Sequence, residues 1–211
     1  IGVDADAEML IEAARRAAEL GTGNARWVQA LGEAMPVGPD TVRVATFAAS
    51  FHWMDRDRVA AAILEMLEPS GAFVQVSAPM EGVSDPGPLP YPQPPRAAIA
   101  DLVRRYLGPE RRAGQGVLRY GTPDDELAVL ARAGYAEPEI VLVPGREIVV
   151  QTADEIVAAQ FSNSGSAPHL FGERLPEFEA ELRELLARTS ASGRFARQTG
   201  DSELRIWRKP P

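Results

Sequence analysis

Two side chains in this 211-residue chain have an ordinary pKa suited to proton transfer near neutrality, His52 and His169, and no cysteine accompanies them. Without cysteine there is no disulfide, thiolate nucleophile or thiolate metal site, and two histidines do not suffice for a multi-histidine metal centre. His52 stands in "FHWMD" and reads either as a general base or as a helix-start residue packed beside Trp53. His169 stands in "SNSGSAPHLFG", among serines and an amide, and reads either as a substrate contact on a lid or as part of a polar surface loop. The third chemical position is an acid. Asp4 follows Ile1–Val3, which read as the end of a buried strand, and precedes Asp6, well placed to cap a helix. An acid after the second strand of a doubly wound sheet accepts hydrogen bonds from vicinal ribose hydroxyls, and the next side chain, Ala5, then lies against adenine. The competing reading makes Asp4 a helix-start acid favoured by the helix dipole, a role that Asp6 fills better.

These residues need strands and helices to hold them, and the elements alternate along the chain. After Asp6 comes a helix with Leu10, Ala14, Ala17 and Ala18 on one face, stopped by Gly21 or Gly23. "ARWVQA" and "TVRVATFAA" read as strands, "DRDRVAAAILEMLEPSG" as a helix ended by Pro69 and Gly71, and "AFVQVSA" as the next strand. This spacing predicts an α/β, doubly wound, mainly parallel sheet covered on both faces. From Pro79 to Pro95 the proline density excludes helix and predicts an extended excursion, either a linker or a cover for the site. Helical patterns resume in "RAAIADLVRRYLG" and, from Thr122 and Pro123, in "DDELAVLARAGY" with Gly134 as its cap. "EIVLVP", "REIVVQ" and "SELRIWRK" read as strands. Thr152 and Glu155 form a capping-box pattern before "ADEIVAAQF", and "PEFEAELRELLAR" is strongly amphipathic. Neither an internal repeat nor a second domain of independent size is visible.

Composition narrows the function classes. With 45% hydrophobic and 25% charged residues the chain suffices for one sizeable domain. A formal charge of −8 and a pI near 4.9 argue against nucleic acid as a partner. There is neither a signal peptide nor a long apolar run, so no membrane partner is expected and the reading is a cytoplasmic protein.

"IGVDADAEML", "VQALGEAMP", "ATFAASFHWMD" and "MLEPSGAFVQV" follow one another in this order. Over residues 1–78 the chain thereby resembles the class I S-adenosylmethionine-dependent methyltransferases, in particular their small-molecule branch. The resemblance implies a Rossmann-like sheet of seven strands with the last antiparallel, a cofactor cleft along its carboxyl edge, and a helical cap. Residues 79–122 and 152–190 would supply that cap within a single domain, 1–211. It further implies S-adenosylmethionine as cofactor, with Asp4 on the ribose and Ala5 and Met9 in the adenine pocket. Where the family often has an acid for the adenine amino group this chain has Leu31, so the pocket is expected to use the Gly32 amide with apolar packing from Leu31, or Glu33 if the loop turns it inward. Phe47 and Ala48 match positions beside the methionine part of the cofactor. His52 and Trp53 then fall near the transferring methyl, with Trp53 walling the pocket or serving the core.

Methyl transfer from a sulfonium is an in-line displacement that positioning and desolvation go far to promote, and a base, His52 or His169, is needed only where the acceptor must lose a proton. Two other classes stand beside this one: a nicotinamide-dependent oxidoreductase, which lacks a recognisable Tyr and Lys pair here, and a non-enzymatic methyltransferase-like binding module. The family's first strand and glycine-rich turn have no counterpart after Ile1. The sequence reading therefore expects on the order of 40–60 further residues upstream. The acceptor and the oligomeric state are not legible.

Overall fold

The computed structural model describes residues 1–78, 82–83, 86–113, 116–118 and 125–210. In chain order the elements are β1 (Gly2–Asp4), α1 (Ala7–Glu19), β2 (Trp27–Gln29), β3 (Val42–Ala48), α2 (Arg56–Met66) and β4 (Leu67–Ser77). There follow α3 (Arg96–Leu107), β5 (Arg111–Ala113), β6 (Gly116–Leu118), α4 (Glu126–Ala133) and β7 (Glu139–Val143). The chain closes with β8 (Ile148–Thr152), α5 (Ala153–Phe161), α6 (Leu175–Thr189), β9 (Arg194–Gln198) and β10 (Ser202–Arg208). It divides into two compact units, one of Ile1–Val76, Asp124–Ile140 and Arg205–Pro211, the other of Ser77–Pro123 and Val141–Leu204.

In the first unit β1 and β2 pair in parallel, with Gly2 opposite Trp27 and Asp4 opposite Gln29. A four-stranded sheet runs in the order β3-β4-β10-β7, and its β3 and β4 are parallel. Strand alternation sends Phe47 and Phe73 to one face, where α2 contributes Val59, Ala60 and Ile63 and α4 contributes Val129 and Leu130. Phe47 stacks on Phe73 at 4.6 Å, and Phe73 meets Trp207 edge-on at 5.8 Å. Helices α2 and α4 are tied at the surface by Arg56 to Asp125 and by the Arg132 fork on Asp57, at 3.0 and 3.1 Å. Tyr135 is buried in the same core and donates to the Ala60 carbonyl; burial pushes its phenol pKa up.

The second unit has its own core. Phe171, Phe178, Leu182, Leu186 and Phe195 pack with Ile99 and Leu102 of α3 and Ile156 of α5. The capping box at Thr152 forms as its sequence predicts, Glu155 N–H donating to the Thr152 hydroxyl and Thr152 N–H to the Glu155 carboxylate. Glu181 accepts from the Tyr106 hydroxyl and from Arg105, and these two contacts hold its carboxyl below the usual range. The proline-rich run forms neither helix nor strand where it is described. Val83 N–H donates to the Gln198 carbonyl and Ala196 N–H to the Pro92 carbonyl, so the run covers the edge that β9 would otherwise leave open. Gly82 permits this approach, because at φ +75° a Cβ on it would lie 2.3 Å from the Gln198 oxygen.

The fold is α/β, but its strands are not one sheet. The described residues form a four-stranded sheet and three two-stranded ones, and β5-β6 and β8-β9 are antiparallel. In the last case β8 pairs with β9, which follows it only after α5 and α6 and whose "RFARQ" reads poorly as a strand. The helix expected to reach Pro69 ends at Met66. Leu67 leaves helical geometry, pairs with Val42 and is fully buried, so β4 starts five residues before the expected strand. The expected helix start at Thr122 and Pro123 lies outside the described residues, as does part of the 79–122 segment.

Candidate functional site

The carboxyl ends of β1 and β2 are fastened together. Ala30 N–H donates to the Asp4 carbonyl at 3.0 Å, and Gln29 Nε2 donates to the Ala5 carbonyl at 3.2 Å. Asp4 itself is exposed, and one of its carboxylate oxygens accepts from Asp6 N–H at 2.9 Å, which fixes the direction of the carboxylate. Asp6 caps α1 by accepting from Glu8 N–H at 2.8 Å. Two apolar side chains flank this acid in sequence and at the partner strand's end. Met9, in the first turn of α1, is 57% exposed, and Leu31, just past β2, is 59% exposed.

From Leu31 the edge continues toward β3. Residues Gly32–Ala34 form a 3-10 turn, and a Cβ on Gly32 would come within 2.6 Å of the Met54 sulfur, so glycine here admits Met54 beside the turn. The Glu33 carboxylate accepts from Asp55 N–H at 2.7 Å, bracing the start of α2. Beyond β3, Ala49 adopts φ +51°, a left-handed conformation costly for a residue with a Cβ, and the chain turns at once into a 3-10 turn over Phe51–Trp53. Phe51 is buried and meets Phe47 at 5.5 Å and Phe73 at 5.1 Å, which anchors the turn. His52 and Trp53 are half-buried with their rings 4.8 Å apart, and His52 Nε2 is shielded from solvent.

Asp4, Ala5, Leu31, Gly32, Glu33, Phe47, Ala48, His52 and Trp53 thus lie at the carboxyl ends of β1, β2 and β3 or in the turns that follow them, within the first unit. His169 belongs to the second unit, exposed on a 3-10 turn spanning Pro168–Leu170. Its loop is more than polar surface. Ser166 is buried, donates to the Gln160 carbonyl at 2.7 Å and accepts from Gln160 Nε2 at 2.6 Å, so the serine run winds as 3-10 turns rather than hanging free.

Sequence reasoning overlooked Gln29, Met54 and Ala49. A glutamine ending a strand gives a weak signal, and nothing in "FAAS" announces a left-handed alanine. Among the described residues no group of three or more His, Asp or Glu could hold a metal ion, and no helix is long and apolar enough to cross a membrane.

Residues 1–71 match the family model described as "Methyltransferase domain". A search of curated proteins found no match. Among solved structures, a protein assigned as a type II methyltransferase from Anaeromyxobacter dehalogenans is similar with a TM-score of 0.54 and 17% identity, over 99% of this chain and 80% of that one. A protein assigned as a methyltransferase from Bacillus halodurans C-125 gives 0.50 and 15%, over 99% and 82%. The cyclase SpnF gives 0.51 and 17%, over 99% of this chain and 66% of that chain. At these identities the likeness concerns the fold, and the family match concerns the segment that carries Asp4, Leu31, Phe47 and His52. Over residues 1–71 the chain is thus similar to methyltransferase domains, and its fold is similar to the Rossmann-like fold of solved methyltransferases.

Proposed function

We propose that this protein methylates a small organic acceptor, with Asp4, Ala5, Met9, Leu31 and Gly32 holding the adenosyl part of S-adenosylmethionine. One observation carries the reading: the joined ends of β1 and β2 bear an exposed, oriented carboxylate, and the first turn of α1 and the residue just past β2 bear exposed apolar side chains, Met9 and Leu31. That arrangement of an acceptor and apolar side chains suits a group with vicinal hydroxyls on one side and a flat apolar ring on the other. When bound, S-adenosylmethionine supplies a methyl group already activated by the sulfonium.

The protein's own residues bind, orient and exclude water. Asp4 accepts from ribose hydroxyls, while the hydrogen bonds from Ala30 and Gln29 keep its loop in place. Leu31 and Met9 wall the adenine, and the Gly32 amide is the polar contact on that side. Glu33, engaged by Asp55, supports the pocket through the loop rather than through the ligand. Phe47 and Ala48 flank the methionine part. His52 takes the acceptor's proton where one must leave, and Trp53 walls the acceptor pocket.

The test is incubation with methyl-labelled S-adenosylmethionine and a panel of small hydroxyl, amine, thiol and carbon acceptors. Label transfer to one class is the expected result. Binding of the donor with no transfer to any acceptor would favour a second reading, a binding module or another reaction on the same fold, which the likeness to a cyclase supports.

A further inference from the structure

We propose, resting on the methyl-transfer reading above, that Gln75 is a positioning residue for the acceptor. The acceptor it implies is a small, largely apolar molecule whose O–H or N–H donates to the Gln75 carboxamide oxygen. Gln75 lies two residues before the end of β4, opposite Phe47 in the parallel register and on the same face as Phe73. Its Oε1 is shielded from solvent and accepts no hydrogen bond among the described residues.

The buried hydroxyls among the described residues behave otherwise. Buried polar groups are nearly always paired, as the Ser166, Ser190 and Tyr135 hydroxyls are here. An apolar side chain at position 75 would avoid the cost of leaving a carbonyl oxygen unpaired, so a glutamine there calls for a partner from outside the fold. The residue stands at the carboxyl ends of β3 and β4, where ligands bind in open α/β sheets. The same strand ends carry the strained Ala49 and the turn that holds His52 and Trp53. A carbonyl oxygen only accepts, so the ligand must donate. Its register partner Phe47 and the next residue on its face, Phe73, are aromatic, which sets the rest of the ligand as apolar. Gln75 is half-buried, and rotation about its soft terminal torsion presents the oxygen to a ligand without moving the strand.

The probes are phenol and anisole, alike except for the donor, titrated against the full chain by ligand-observed NMR. Wild type should bind phenol about three- to tenfold more tightly than anisole, the usual range for one hydrogen bond. Gln75→Met, with an unchanged unfolding midpoint, should bind both alike. Should Gln75→Met fail to fold, Gln75→Glu keeps the shape and the accepting oxygen and should retain the preference for phenol. Equal binding of both probes by wild type, binding of neither, a preference that persists in Gln75→Met, or one lost in Gln75→Glu would overturn the proposal. These titrations need no methyl donor. Failure of S-adenosylhomocysteine to bind would remove the methyl-transfer reading and leave the assignment of Gln75 to be decided by the probes.

Discussion

Helices α1 and α2 of the first unit follow strands and precede strands, yet they end in opposite conditions. Helix α2 buries Val59, Ala60, Ile63 and Met66, whereas α1 buries no residue and leaves Met9 and Ile11 mostly exposed. Amphipathic pattern does not explain the contrast, since α1 is well patterned too. The difference lies in what each strand pair offers: β3 and β4 present Phe47, Leu67 and Phe73 to a helix, while β1 and β2 have only Val3 and Val28 on one face and, on the other, a glycine on which the Trp27 ring lies. One half is a core that holds its turns in place. The other keeps apolar surface and an acid open at the strand ends, which suits a ligand rather than a core.

The contrast breaks most visibly in the core. Phe73→Ala removes the ring shared by Phe47, Phe51 and Trp207 and should destabilise the protein by about 3–5 kcal/mol, whereas Met9→Ala should change stability by less than about 0.5 kcal/mol. Urea unfolding of both variants checks this. A loss at Met9 as large as that at Phe73 would show that α1 is packed like α2. Next in size is Ala49→Gly. It relieves the left-handed strain at the end of β3, partly offset by glycine's backbone entropy, and should raise stability by up to about 1 kcal/mol. A thermal melt reads it, and a loss would mean that the alanine methyl makes a packing contact outweighing the strain.

The smallest effect is electrostatic. The Arg56 hydrogen bond holds the Asp125 carboxyl below its ordinary value, so this pair adds stability above the unfolded-state pKa and loses it as pH falls through the lowered one. Asp125→Asn should therefore be less stable than wild type at neutral pH, with the gap closing in strong acid. Unfolding midpoints at pH 7 and pH 2 measure the gap; a constant one would separate Asp125 from the pair.

The sequence was most legible where local chemistry decides the outcome. Asp6, the Thr152 and Glu155 box, and Gly134 at φ +103° cap helices through contacts within a few residues. It was least legible where partners are distant. That β9 takes β8, and that the proline run covers β9, depends on backbone pairing between segments far apart, which neither periodicity nor proline count encodes. The site divides in the same way. Asp4 and the segment around Leu31 stand out by type and position, whereas the Gln29 bond to Ala5, the Met54 contact at Gly32 and the unpaired Gln75 oxygen arise only once strands lie in register.

The methyl-transfer proposal stands or falls on an adenosyl site organised by Asp4 at the open end of β1 and β2. Calorimetric titration of S-adenosylhomocysteine into wild type and Asp4→Ala tests it most directly, with NAD as the competing dinucleotide. The expected result is saturable binding of S-adenosylhomocysteine by wild type, weakened in Asp4→Ala by about 1.5–3 kcal/mol, the scale of hydrogen bonds to a charged group, with an unchanged unfolding midpoint. Equal affinity in the two proteins, or binding of NAD in place of S-adenosylhomocysteine, would contradict it.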